Sequence, residues 1–186
     1  MSAPWNDGLP VRMEVGGVEY EIETDYRAIL DICAAISDPE LTGQEQSAVA
    51  LEIFYPTIET MPPEDYQEAL DRLLWFLNGG DTPEDRKMPK LVDWEQDFTY
   101  IVAPINRVTG QEVRAVEYMH WWTFLLAYYE IGDCTFAQIV RIRDLRARGK
   151  PLDKTDQDWY NRNRRLVDFK RKYTEQDEEK FSKWLR

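Results

Sequence analysis

Histidine is nearly missing from this chain: His120 is the only one in 186 residues. One imidazole with no second histidine cannot anchor a zinc centre, and the two cysteines show no ligand spacing that would help it. Cys33 and Cys134 lie far apart in apolar settings without a C-x-x-C pattern. They read as buried free thiols of a reducing compartment rather than as a disulfide. Long hydrophobic runs are also missing. No apolar stretch approaches the roughly 20 residues of a membrane span. Residues 1–8, Met-Ser-Ala-Pro-Trp-Asn-Asp-Gly, lack the basic start and apolar segment of a signal peptide, so a soluble intracellular protein is expected. Catalytic loops are lacking as well. Gly79-Gly80 precedes a charged loop and has no Lys-Ser/Thr ending, which excludes a phosphate-binding loop, and no G-x-S-x-G elbow occurs. The carboxylates Asp93, Glu95 and Asp97 do not follow the spacing of a calcium loop. Neither a metal nor another cofactor is expected.

Positive charge is scarce in one half. The formal net charge is −12 with a pI near 4.6, which argues against general nucleic-acid binding. Residues 1–100 hold 22 Asp+Glu against 6 Lys+Arg, and residues 101–186 hold 13 against 17. An acidic face and a basic face would steer partners or support head-to-tail self-association; ordinary solvated surface is the other reading.

What is present points to a folded helical protein. Hydrophobic residues make up 43% and aromatics 13%, enough for a real core. The patterns predict a mainly α, single-domain bundle of about six to eight helices over residues 1–186, with a small N-terminal β-hairpin. The hairpin falls in 10–23, the helical body in 24–173 and an acidic helical tail in 174–186. Val11–Val15 and Val18–Ile22 alternate around Gly16-Gly17, a two-residue turn signal. Thr24-Asp25 caps a helix to Ile36, a second runs from about Gln44 to Tyr55, and Pro63 opens a third with a Tyr66, Leu70, Leu73, Leu74, Leu77 stripe that Trp75 and Phe76 widen. That helix stops at Asn78-Gly79-Gly80. Trp94, Phe98, Ile101 and Val102 mark the fourth, ending near 107–110. Thr135 to Gln138 reads as a capping box for a helix to about Arg148, and Thr155 to Asp158 opens the next, with Trp159, Leu166, Phe169 and Tyr173 as its apolar positions. Thr174 caps a short terminal helix that Phe181, Trp184 and Leu185 would dock.

The stretch Ala115–Ile131 is the predicted hub. From Tyr118 to Tyr129 only His120 and Thr123 are polar, so a helix of about four turns buried on all sides is expected. A lone histidine there reads as a core residue bonded to a neighbour rather than a catalyst. Trp75, Trp94, Trp121 and Trp122 belong to the same core. Between Ile139 and Tyr173 there are 12 Lys+Arg against 5 Asp. Arg141, Arg143, Arg146, Trp159, Arg162 and Arg165 are the candidate partner-binding residues, since arginine with exposed aromatics is the material of binding hot spots. An acidic protein partner, a solvated face and, with no docking motif in sight, nucleic acid are the three readings. Arg141 and Asp144, three apart, are placed to pair locally.

An ordered set of motifs adds a resemblance. Leu74-Trp-Phe-Leu-Asn-Gly-Gly80, then Asp93-Trp-Glu-Gln-Asp97 with Tyr100-Ile101, then Met119-His-Trp-Trp-Thr-Phe124, then Arg141-Ile-Arg-Asp-Leu145 together resemble the bacteriophage gene-product-fifteen family. Ile22 to Arg27 is similar to that family's opening, and the likeness is strongest from Leu73 to Tyr173. The Val108–Val116 connection departs from the pattern, and Glu175–Arg186 is extra. Members look like tail assembly chaperones encoded near the tape measure gene. The resemblance implies binding to the tape measure protein and tail tube protein in the host cytoplasm, absence from the mature virion, and no catalytic residues. A virion structural component, such as a tail-completion or connector protein, is the alternative.

Overall fold

The computed structural model describes residues 8–81 and 89–170. The acidic tail with Thr174, Phe181, Trp184 and Leu185, the residues Arg171 to Tyr173, and most of the charged loop after Asp81 lie outside the described residues.

The architecture is mainly α, with a two-stranded antiparallel hairpin at the N-terminal side. Strands β1 (Arg12–Val15) and β2 (Val18–Glu21) pair with Val15 opposite Val18. Gly16 and Gly17 between them take φ of 58° and 76°, the left-handed pair that a two-residue hairpin turn requires. Seven α-helices follow among the described residues: α1 (Tyr26–Ile36), α2 (Gly43–Phe54), α3 (Tyr66–Leu77), α4 (Trp94–Thr109), α5 (Trp121–Tyr129), α6 (Thr135–Ala147) and α7 (Lys154–Val167).

The helix starts follow capping chemistry. Asp25, Thr42, Asp93 and Asp153 each accept a hydrogen bond from a backbone N–H in the first turn. Thr42 forms a full capping box with Glu45, whose carboxyl the two bonds from Thr42 hold below the usual range. Two caps differ from expectation. Helix α6 starts from Cys134, whose Sγ accepts from the Ala137 N–H at 3.4 Å, and not from Thr135. Asp153 precedes Thr155 as the start of α7. In both cases an acceptor sits upstream and captures the exposed N–H groups first.

The fully buried side of α3 is narrower than the expected stripe. Ala69, Leu73 and Phe76 are buried, while Tyr66 is exposed. Leu70, Leu74, Trp75 and Leu77 are half-buried beside them, and Phe76 packs against Phe54, His120 and Trp122.

The predicted hub is shorter and less enclosed. Helix α5 begins at Trp121, with Met119 and His120 held extended by an isolated bridge to Asp25. Tyr26 N–H donates to the Met119 carbonyl at 3.0 Å and Trp121 N–H to the Thr24 carbonyl at 2.7 Å. Those bonds use the free N–H groups of the first helical residues, Tyr26 and Trp121, and fix the helix starts at those positions. Trp121, Phe124, Leu125 and Ala127 face the core, but Leu126 and Tyr129 are each 64% exposed. An apolar run thus carries an outward face. The main core joins the hairpin, α1 to α5 and the start of α6, and a smaller cluster of Ile142, Tyr160 and Val167 holds α7 on α6. Both cysteines are free and half-buried rather than fully buried.

Candidate functional site

The motif residues converge on one another in space. At the end of α3, Phe76 and Leu77 carry carbonyls that lack partners within the helix. The Trp122 indole donates to the first at 2.9 Å and the Trp121 indole to the second at 3.1 Å. Gly80 takes φ of 95° directly under the Trp122 ring, where a Cβ would lie 3.1 Å from Cη2. His120 supplies the cap: its Nδ1 accepts from the Trp122 N–H at 3.0 Å. Its Nε2 lies 3.0 Å from the Pro10 carbonyl and donates to it, since only that tautomer satisfies both bonds. Burial pushes the imidazole pKa down. With both nitrogens engaged, His120 is a neutral structural group at 4% exposure.

The second motif joins α4 to α5, α6 and the end of α7. Asp93 caps α4 by accepting from the Gln96 N–H at 3.0 Å. Trp94, half-buried, packs against Trp121, Phe124 and Tyr128. The Gln96 amide donates to the Asp168 carbonyl at 3.0 Å and accepts from the Lys170 N–H at 2.9 Å. Asp97 is fully buried and meets Arg143 in a two-pronged ion pair of 2.6 and 3.0 Å. The same guanidinium reaches the carbonyls of Leu91, Leu166 and Val167 at 2.7–2.9 Å, and Phe169 lies 4.1 Å from its centre. Every arm of Arg143 has an acceptor.

Arg143 therefore leaves the set of partner-facing residues: it is 4% exposed and ties α6 to α4 and α7. Two other members are exposed but already paired. Arg141 bonds the buried Asp156, and Arg146 bonds Asp168 at 2.5 Å while stacking 4.4 Å from the Tyr160 ring. The expected Arg141–Asp144 pair does not form, because Asp144 binds Arg148 at 2.7 Å. Trp159 is half-buried against the small α6–α7 cluster. Arg162 and Arg165 remain on the exposed side of α7. Of the core set, His120 and Trp121 are buried, and Trp75, Trp94 and Trp122 pack half-buried against the core.

Three surfaces escaped the sequence reading. A cleft of about 420 Å³ between α1 and α4 has Tyr26, Leu30, Trp94 and Phe98 as its apolar wall, with Arg27 and Arg114 beside them. A groove of about 680 Å³ lies between α2 and α3. Helix α5 presents Trp122, Leu126 and Tyr129 along one side at helical spacing. One signal was legible in advance: from residue 28 to 71 there are ten Asp+Glu and no Lys or Arg. Among the described residues no group of three or more His, Cys, Asp or Glu side chains is placed to hold a metal ion. No described helix is long and apolar enough to cross a membrane.

Residues 5–169 match the family model described as Bacteriophage Gp15 protein. The match spans most of the chain, and the chain belongs to that family. No curated protein and no solved structure matches it.

Proposed function

We propose that this chain is a non-enzymatic tail assembly chaperone, which binds the tape measure protein in the host cytoplasm and helps recruit tail tube subunits. Membership in the bacteriophage Gp15 family carries the reading, because that family is one of phage structural or assembly proteins. The use of the chemically able residues supports it. His120 is spent on a cap, and Asp97 and Arg143 on each other. What faces solvent is binding material instead. An apolar side of α5, an acidic α2–α3 region and the Arg162/Arg165 side of α7 would let one chain hold partners of different chemistry at once.

Co-expression with the tape measure protein of the same phage tests the reading. The expected result is a larger soluble fraction of that protein; equal insolubility with and without this chain defeats it. Mass spectrometry of purified particles separates the alternative. A chaperone is absent from mature particles, whereas fixed stoichiometry there identifies a tail-completion or connector component.

A further inference from the structure

We infer that the α2–α3 groove is a docking site for a cationic amphipathic helix of another protein. Its floor is apolar: Leu51 is buried, Ile58 and Leu70 are half-buried, and Tyr66 stands exposed at one end. Glu52 and Glu59 are exposed on its rim, and no Lys or Arg lines it. The nearest cation in sequence, Arg72, is bound to Glu68 at 3.3 Å. The surrounding stretch, residues 28 to 71, supplies ten carboxylates and no cation of its own.

An apolar channel between two helices fits the ridge of a third. The occupant's contact stripe must be aliphatic or aromatic, and its flanks must carry lysine or arginine to meet Glu52 and Glu59. Each exposed ion pair adds little by itself, but a rim of one sign raises the local concentration of cationic helices and rejects anionic ones. A second copy of this chain is the poorer match. Among the described residues, α7 exposes Arg162 and Arg165 without a free apolar stripe. Helix α5 exposes Leu126 and Tyr129 with Glu130 beside them. Neither combines both features.

This assignment goes beyond the tail-assembly reading and does not depend on it, so the two fail separately. The probe is a fluorescein-labelled peptide of about 18 residues, long enough to span the groove as a helix, with leucine at positions i, i+3, i+4 and i+7 and lysine elsewhere. Anisotropy with the full chain at physiological salt is expected to show saturable binding. Glu52→Lys with Glu59→Lys should weaken it roughly tenfold or more while the melting temperature by circular dichroism stays within a degree or so of wild type. A scrambled peptide of the same composition should bind roughly tenfold more weakly. Five outcomes overturn the inference, four of them in the intact chain. Those four are no saturable binding; equal binding of the scrambled peptide; equal weakening by the distant pair Glu130→Lys with Asp133→Lys; and a dimer in sedimentation velocity that the Glu52/Glu59 variant splits, which gives the groove to a second copy. Binding that emerges only after removal of residues 171–186 assigns the groove to the chain's own segment and overturns it as well.

Discussion

Asp25 and His120 face each other across an isolated antiparallel bridge, and each is the N-cap of the helix that begins beside it. Asp25 Oδ1 accepts from the Arg27 N–H at 2.9 Å, and Oδ2 accepts from the Met119 N–H at 3.3 Å. Arg27 then returns across the gap to the carbonyls of Val116 and Glu117. Thr24 and Tyr118 hydroxyls meet at 2.7 Å alongside. Two helix starts distant in sequence are thereby fixed as one unit, and the orientation of α5 under the end of α3 follows from it.

His120→Ala removes the cap and the tether to Pro10 together. The expected loss is about 1–3 kcal/mol of unfolding free energy, read by chemical denaturation at neutral pH. An unchanged midpoint refutes the capping role.

The same residue sets a pH dependence. Burial lowers the folded-state pKa of His120 below its ordinary value of about 6.5. The folded protein then prefers the neutral ring, so this contribution is complete above about pH 6.5 and is lost as pH falls through the folded pKa. His120→Asn keeps a capping oxygen without the titration. Its melting temperature between pH 8 and pH 5 should fall less steeply than that of wild type; parallel curves count against the assignment.

Gly80 and Trp122 should be coupled. Gly80→Ala places a Cβ at φ of 95°, 3.1 Å from the indole, at a cost of roughly 1–3 kcal/mol. In a Trp122→Ala background the collision disappears and only the backbone strain remains, so the same substitution costs less. Identical costs in the two backgrounds exclude the contact. Trp122→Phe keeps a ring but removes the indole donor, leaving the Phe76 carbonyl with the Gly79 N–H at 3.1 Å, for a loss of about 1 kcal/mol.

Local features of the fold were legible in the sequence, and long-range ones were not. Gly16-Gly17, Asp25 and the Asn78-Gly79-Gly80 stop report their own backbone needs, so the hairpin and most helix limits could be placed; Pro63 opens a 3-10 turn, and α3 itself starts at Tyr66. The central helix was misjudged because hydrophobicity states what a segment is made of, not which side meets the core. Leu126 and Tyr129 look like Phe124 and Leu125 in composition. Bridge pairing between Asp25 and His120, and the reach of Arg143 to Asp97, join residues with no local pattern. For the same reason nothing in the sequence separates Arg143 from the surface arginines beside it.

Cys33 should be chemically quiet. Burial pushes its thiol up to about 12, which at pH 8 leaves a thiolate fraction on the order of a thousandfold below that of an ordinary thiol. Alkylation by iodoacetamide in the native protein is expected to be slower than in urea by a comparable factor. Equal rates in both states would show that the thiol is open to solvent.

Asp97 and Arg143 offer the sharpest energetic test, because a buried ion pair behaves differently from its parts. Removing one partner, in Asp97→Asn or Arg143→Met, strands a charge with the acceptors or donors that surrounded it, and about 3–5 kcal/mol should be lost. Arg143→Lys keeps the charge but not the fork that reaches Asp97 and three carbonyls at once, so it should recover only part of that loss. The double variant Asp97→Leu with Arg143→Met strands no charge and should be more stable than either single one, giving a large coupling in a double-mutant cycle. Without the guanidinium the Val167 carbonyl loses its side-chain donor, and the Leu166 carbonyl keeps only the Gln96 amide at 3.4 Å. The helix-7 end should then become more accessible to protease in every Arg143 variant, even where global stability is restored. A cycle with additive losses would mean that the pair contributes only as two independent groups. Protection of residues 160–170 in Arg143→Met would mean that the small Ile142, Tyr160 and Val167 cluster holds α7 without the guanidinium.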